Sequence, residues 1–165
     1  MNSRNQTMIV VVAAVVVVAI VVVAVLMLNQ GTPTPGGTVQ IPGTSCAPTC
    51  KNQNWSSVSA AGLNVSGYDF TGTTIIGGSF SSGNISRAKF VGAQLKGTAT
   101  GPVSFATANA SGADFTNAVL CYVTFNGATK ADTATWTGAK FFNVTWADGS
   151  TTVPSGATAV TACPF

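Results

Sequence analysis

Hydrophobic positions along the chain follow two regimes. Residues 8–28, MIVVVAAVVVVAIVVVAVLML, are apolar without a charge, Gly or Pro. As a helix rising ~1.5 Å per residue, the run spans roughly 31 Å, close to the hydrocarbon thickness of a bilayer. Val dominates it and would favour a strand in water, but in lipid the cost of unpaired backbone groups selects the helix. The run is longer than the apolar region of a secretory signal, and MLNQGTPTPGG after it offers no A-x-A cleavage site. The pattern therefore predicts a retained transmembrane helix over 8–28, preceded by a short tail, 1–7. Arg4 ahead of the span, with no further charge until Lys51, favours a cytoplasmic (or lumen-side) N-terminus. The C-terminal domain would then be exported or face a capsid shell. Residues 29–50, with Pro33, Pro35, Pro42 and Pro48 among glycines and threonines, read as a linker.

The second regime has a period of five. Stepping from Val65 gives Phe70, Ile75, Phe80, Ile85, Phe90, Leu95, Thr100, Phe105, Ala110, Phe115, Leu120 and Phe125, apolar and bulky except at Thr100 and Ala110. Two residues before each lies a second series of mostly small residues, such as Ala88, Ala93, Ala108, Ala113 and Ala118. Glycine recurs two residues after the centre, as at Gly72, Gly92 and Gly112. The frame slips by one near Lys130 and resumes at Trp136, Phe141 and Trp146. Neither a helix, repeating every 3.6 residues, nor a strand, repeating every two, accounts for this spacing. A chain turning a corner every five residues does. The centre and the residue two before it then point inward, and glycine eases each corner. A lysine does not fit a narrow apolar core, so the slip at Lys130 predicts a bulge or short loop.

Ala113-Asp114-Phe115-Thr116-Asn117, Ala88-Lys89-Phe90-Val91-Gly92, Ala93-Gln94-Leu95-Lys96-Gly97 and Ala139-Lys140-Phe141-Phe142-Asn143 carry a resemblance. The region 63–146 resembles the pentapeptide-repeat family, whose unit is A-(D/N)-L-x-x. The resemblance implies an all-β domain, a right-handed quadrilateral parallel β-helix with four pentapeptides per coil. Twenty residues per coil predicts about four coils, with Val65, Ile85, Phe105 and Phe125 in one column. Ile75, Leu95, Phe115 and Trp136 form another. The expected β-helix occupies 51–146, with 51–64 (Trp55, Val58, Leu63) covering one end of the stack. Residues 147–165 (Val153, Val160, Phe165) cover the other.

Composition narrows the chemistry. Charged residues make up 7% of the chain, the net charge is +3, and there is no His or Glu. The carboxylates are Asp69, Asp114, Asp132 and Asp148. A twenty-residue stack puts Asp69 and Asp114 in different columns, so no acid–base pair is expected. The many Ser and Thr have no evident base beside them. We therefore expect no enzyme, no cofactor, no resident metal and no small-molecule substrate. Some pentapeptide-repeat proteins resemble DNA in shape and charge and bind topoisomerases, which needs an acidic surface that four aspartates do not supply. Arg87, Lys89 and Lys96 fall short of the basic stripe that nucleic acid requires.

Four cysteines, Cys46, Cys50, Cys121 and Cys163, make disulfides the expectation for an exported domain, with three pairings open. Cys121 follows the centre Leu120 and sits on the outer wall, where it could hold Cys163, with Cys46 and Cys50 closing a small loop. A four-thiolate zinc site is the alternative, disfavoured by the wide C-x-x-x-C spacing and remote partners. Asn54, Asn64, Asn84, Asn109 and Asn143 each open an Asn-x-Ser/Thr triplet, candidate glycosylation sites that a Ser/Thr/Asn-rich composition also produces unaided.

A flat, nearly uncharged wall on a membrane tether suits packing against protein neighbours. The expected role is a structural component of a large assembly, in a capsid or cell envelope. A viral minor capsid or virion-membrane protein is the concrete version. An adhesin-like module at the cell surface is the alternative.

Overall fold

The computed structural model describes residues 41–165. The expected membrane helix at 8–28, the tail before it and linker residues 29–40 lie outside the described residues. Among the described residues, no helix is long and apolar enough to cross a membrane. The described residues form seven strands: β1 (Asn54–Ser59), β2 (Thr74–Ser79), β3 (Gln94–Lys96), β4 (Val103–Ser104), β5 (Val119–Thr124), β6 (Lys140–Thr145) and β7 (Thr158–Ala159). All pair in parallel in the order β1-β2-β3-β5-β6-β7, with β4 joining β2 and β5. This is an all-β parallel solenoid.

Each pentapeptide is a corner. The centre residue's carbonyl accepts the N–H three residues on: Ile85 from Ala88, Phe90 from Ala93, Ala110 from Ala113 and Phe115 from Ala118, at 2.9–3.0 Å. The residue two after the centre takes a positive φ, 64° at Gly92 and 62° at Gly112. That is the requirement of a type II turn and the reason glycine recurs there. At the fourth corner the chain stays extended through β2, β5 and β6, yet Gly77, Tyr122 and Asn143 keep positive φ. Successive coils then bond to each other along the stack, as in Phe70 N–H to Lys89 O (2.7 Å) and Lys89 N–H to Tyr68 O (2.8 Å).

The columns differ from those expected of constant twenty-residue coils. Register advances by twenty from β1 to β2 and β2 to β3, but Leu95 faces Leu120, twenty-five residues on. The extra pentapeptide is an excursion at Gly97–Gly101, closed by Thr98 N–H to Gly101 O (3.0 Å) and the reciprocal bond (3.2 Å). Thr98, Ala99, Thr100 and Gly101 are exposed, so Thr100 is no member of the core ladder. An insertion of five leaves the five-residue frame intact, and for that reason it does not show in the sequence. The next coil has twenty-one residues, pairing Asp114 with Thr135. Lys130 swings out with φ 55°, and a short 3-10 turn at Ala131–Thr133 brings Ala131 inward, 2% exposed.

The true aromatic columns are two. Phe70, Phe90, Phe115 and Trp136 stack at centroid distances of 4.8, 4.9 and 4.5 Å. Phe80, Phe105 and Phe125 stack at 5.0 and 4.9 Å, with Trp146 tilted beyond them at 5.5 Å. The two columns meet edge to face, as at Phe105–Phe115, the geometry that a ring's quadrupole favours, worth ~0.5–1.5 kcal/mol per pair beyond burial. Aliphatic residues, with Phe141 at the end of one column, fill the other sides. Ile75, Leu95, Leu120 and Phe141 are in register, as are Val65, Ile85 and Ala110 through their neighbours Asn64, Asn84 and Asn109. All are buried.

The solenoid has about five turns, not four. Residues 51–64 are no cover: β1 pairs with β2 in full register and begins a coil of its own. The cover is the end of the segment that composition marks as linker, where Ile41 and Cys50 are fully buried and Cys46 and Ala47 pack against the core. Beyond β6, Val153 and Ala157 pack against the core, and β7 adds a short rung.

Candidate functional site

The walls carry the outward residues, and a recurring set of their oxygens is committed to the fold. The residue before each centre accepts the N–H of the residue after it: Asn64 from Ser66, Asp69 from Thr71, Asn84 from Ser86, Asn109 from Ser111 and Asp114 from Thr116, at 2.9–3.2 Å. Ser79, Ser104 and Thr124 do the same with hydroxyls. The polar second letter of the repeat is therefore a corner clamp, an Asx- or ST-turn.

The 25-residue coil also realigns the charges. Asp69, Lys89 and Asp114 occupy one column on successive coils, where constant coils would separate the aspartates. Lys89 stands between the two carboxylates, so they do not form a pair. Lys51 meets Asp69 at 3.1 Å. Partial burial raises the pKa of Asp69, but hydrogen bonds from Thr71 and the Lys51 ammonium outweigh it and hold the carboxyl below its ordinary value. Hydrogen bonds from Ser150 hold Asp148 low as well.

The cysteines form two bridges. Cys46–Cys50, with Cα atoms 4.8 Å apart, lies at the N-terminal cover. Cys121–Cys163, 5.9 Å apart, ties the tail to β5. No thiol is left for a metal, and among the described residues no group of three His, Cys, Asp or Glu could hold one. Cys121 does follow an inward centre, but it is 1% exposed because the tail covers it. At the end of that tail the ring of Phe165 lies 3.9 Å from Lys96 Nζ. Sequence offered no signal for this contact, since the tail lies outside the period.

The candidate glycosylation asparagines scatter over the surface. Asn64, Asn84 and Asn109 share one column, the first exposed and the other two half-buried; Asn54 and Asn143 are exposed. Among the described residues lie two shallow grooves. One of about 350 Å³ is lined by Pro42, Thr44, Asn54, Trp55 and Ser57. One of about 260 Å³ is lined by Phe142, Asn143, Val144, Val153 and Val160. Neither lining contains an ionisable side chain, so neither offers acid–base chemistry.

Residues 103–129 match the family model for pentapeptide repeats (8 copies). No curated protein matches the chain. Among solved structures, the fold is similar to HetL, a pentapeptide repeat protein involved in heterocyst differentiation regulation from the cyanobacterium Nostoc sp. Strain PCC 7120. Identity is 16% and TM-score 0.50, over 57% of this chain and 37% of that one. The chain thus spans little more than a third of that protein's length. A pentapeptide repeat protein from the Arabidopsis thaliana thylakoid lumen is 18% identical, with TM-score 0.39, over 79% of this chain and 70% of that one. The described region folds as a parallel β-solenoid, and residues 103–129 within it match pentapeptide repeats.

Proposed function

We propose that the chain is a non-enzymatic structural component of a large assembly. Residues 8–28 hold it at a membrane, and the solenoid packs its walls against neighbouring proteins. The supporting observation is the state of the outward side chains. Those before each centre clamp the corners, their few charges are dispersed or paired, and the two described grooves hold no ionisable group. Such a surface suits broad, uncharged contact rather than turnover. A capsid built over a membrane, as a minor capsid or virion-membrane protein, is the setting in which an anchored rigid prism of this kind serves best. Cross-linking the full chain in its native membranes, followed by mild extraction, tests the reading. A stoichiometric particle with repeated cross-links to the same neighbours supports it. A freely extracted monomer that binds a soluble ligand overturns it in favour of an adhesin-like surface module.

A further inference from the structure

The tail runs back along the outside of the stack. Val160 N–H donates to Phe141 O (2.9 Å), Cys163 bonds to Cys121, and Phe165 reaches Lys96. Lys96, Cys121 and Phe142 are register partners on successive coils, and Ile76 precedes them in the same column. The last five residues thus cross the wall against the direction in which the coils are added.

That column contains its own control. Ile76, which the tail does not reach, is 51% exposed, whereas Cys121, in the equivalent outward position, is 1% exposed. Cys163 of the tail, bonded to Cys121, covers that position together with the flanking Lys96 and Phe142. Beyond Val160 the tail's directional contacts are two, the disulfide and the Lys96–Phe165 contact. A cation over an exposed ring is a weak tether, and Phe165 is itself 43% exposed. The coils, by contrast, are held by their own ladder of hydrogen bonds and aromatic columns.

We propose that residues 161–165 are a redox-released strap. The Cys121–Cys163 bond keeps it closed. A small dithiol opens it by exchange, leaving two protein thiols and the oxidised reagent, with the solenoid still folded. Opening bares Cys121 and Lys96 beside the already exposed Ile76, converting a covered wall into a continuous strip with an accessible thiol. An oxidising compartment keeps the strip covered, and a reducing one uncovers it.

The test uses the full chain with and without dithiothreitol, together with Cys163→Ser. Readouts are alkylation of Cys121 followed by peptide mass, hydrogen exchange across β5, and circular dichroism. The expected result is native circular dichroism, alkylation of Cys121 without denaturant, and faster exchange at Cys121 than at Leu120. Loss of the cross-link should lower Tm by roughly 5–15 °C. Two results overturn the proposal. If Cys121 stays unreactive in folded Cys163→Ser, the tail holds without its bond. If both the reduced chain and the variant unfold at 25 °C, the tail is part of the fold rather than a strap upon it.

Discussion

Phe115 shows what one position in the period does. Its ring is fully buried, stacked between Phe90 and Trp136 and set edge-on to Phe105 and Phe125. Phe115→Ala should cost roughly 3–5 kcal/mol, because neighbours fixed in a stack cannot collapse into the void. Thr116→Ala next to it loses one hydroxyl bond to Asp114 (2.6 Å) and should cost about 1 kcal/mol. Denaturant melts of both variants measure the difference, and equal losses would refute the inward assignment. The corner residues answer to a different constraint. Arg87 adopts φ 57°, a conformation that Asn tolerates far better than a long side chain does. Arg87→Asn should therefore raise stability by about 0.5–1 kcal/mol, measured in the same melts.

At the level of the coil, the sequence showed the unit but not its stacking. The centres at Phe70, Phe90, Phe115 and Phe125 were legible because burial of a bulky side chain every five residues leaves a strong pattern. The Lys130 bulge was legible for the opposite reason, since an inserted single residue breaks the frame and puts a lysine where an apolar residue belongs. The excursion at Gly97–Gly101 was invisible, since it adds a whole period and shifts every later column without disturbing a single centre. The pairing of Phe105 with Phe80, and of Asp114 with the Lys89 and Asp69 column, followed from it. This predicts that deleting Thr98 to Pro102 is tolerated. The deletion leaves Gly97 two residues after Leu95, the corner position that Gly77 fills one coil below, and Val103 then follows in the inward slot. The shortened coil matches its twenty-residue neighbours and removes exposed chain that must be ordered on folding, so Tm should stay level or rise. A fall of more than ~2 kcal/mol in a denaturant melt would mean that the excursion carries structure of its own.

For the molecule as a whole, scarcity of ionisable groups decides how it responds to its surroundings. The sequence has four aspartates and no Glu or His, and its cysteines are bridged, so no side chain titrates with ordinary behaviour between pH 5 and 8. The pH dependence therefore lies at the acid end, and its sign follows from Asp69. A carboxyl whose pKa is lower in the folded state than the unfolded value near 3.8 stabilises the fold above that value. The contribution fades as pH falls through the folded pKa. Tm should be flat from pH 5 to 9 and decline only below about pH 4. Asp69→Asn separates the charge from the clamp. Asn64, Asn84 and Asn109 show that an amide accepts the corner N–H in the equivalent position, so the variant keeps its turn and loses only the ion pair with Lys51. It should lose no more than about 1 kcal/mol at pH 7, as expected of a surface pair whose lysine is half exposed, and show a shallower acid decline than the parent. Thermal melts across pH 2–9 measure both. A step in Tm between pH 5 and 8 would contradict the account, because no side chain of the described solenoid could produce it. A fold whose stability ignores pH over that range, held by stacked rings and backbone ladders rather than by charge, is suited to keeping one shape across it.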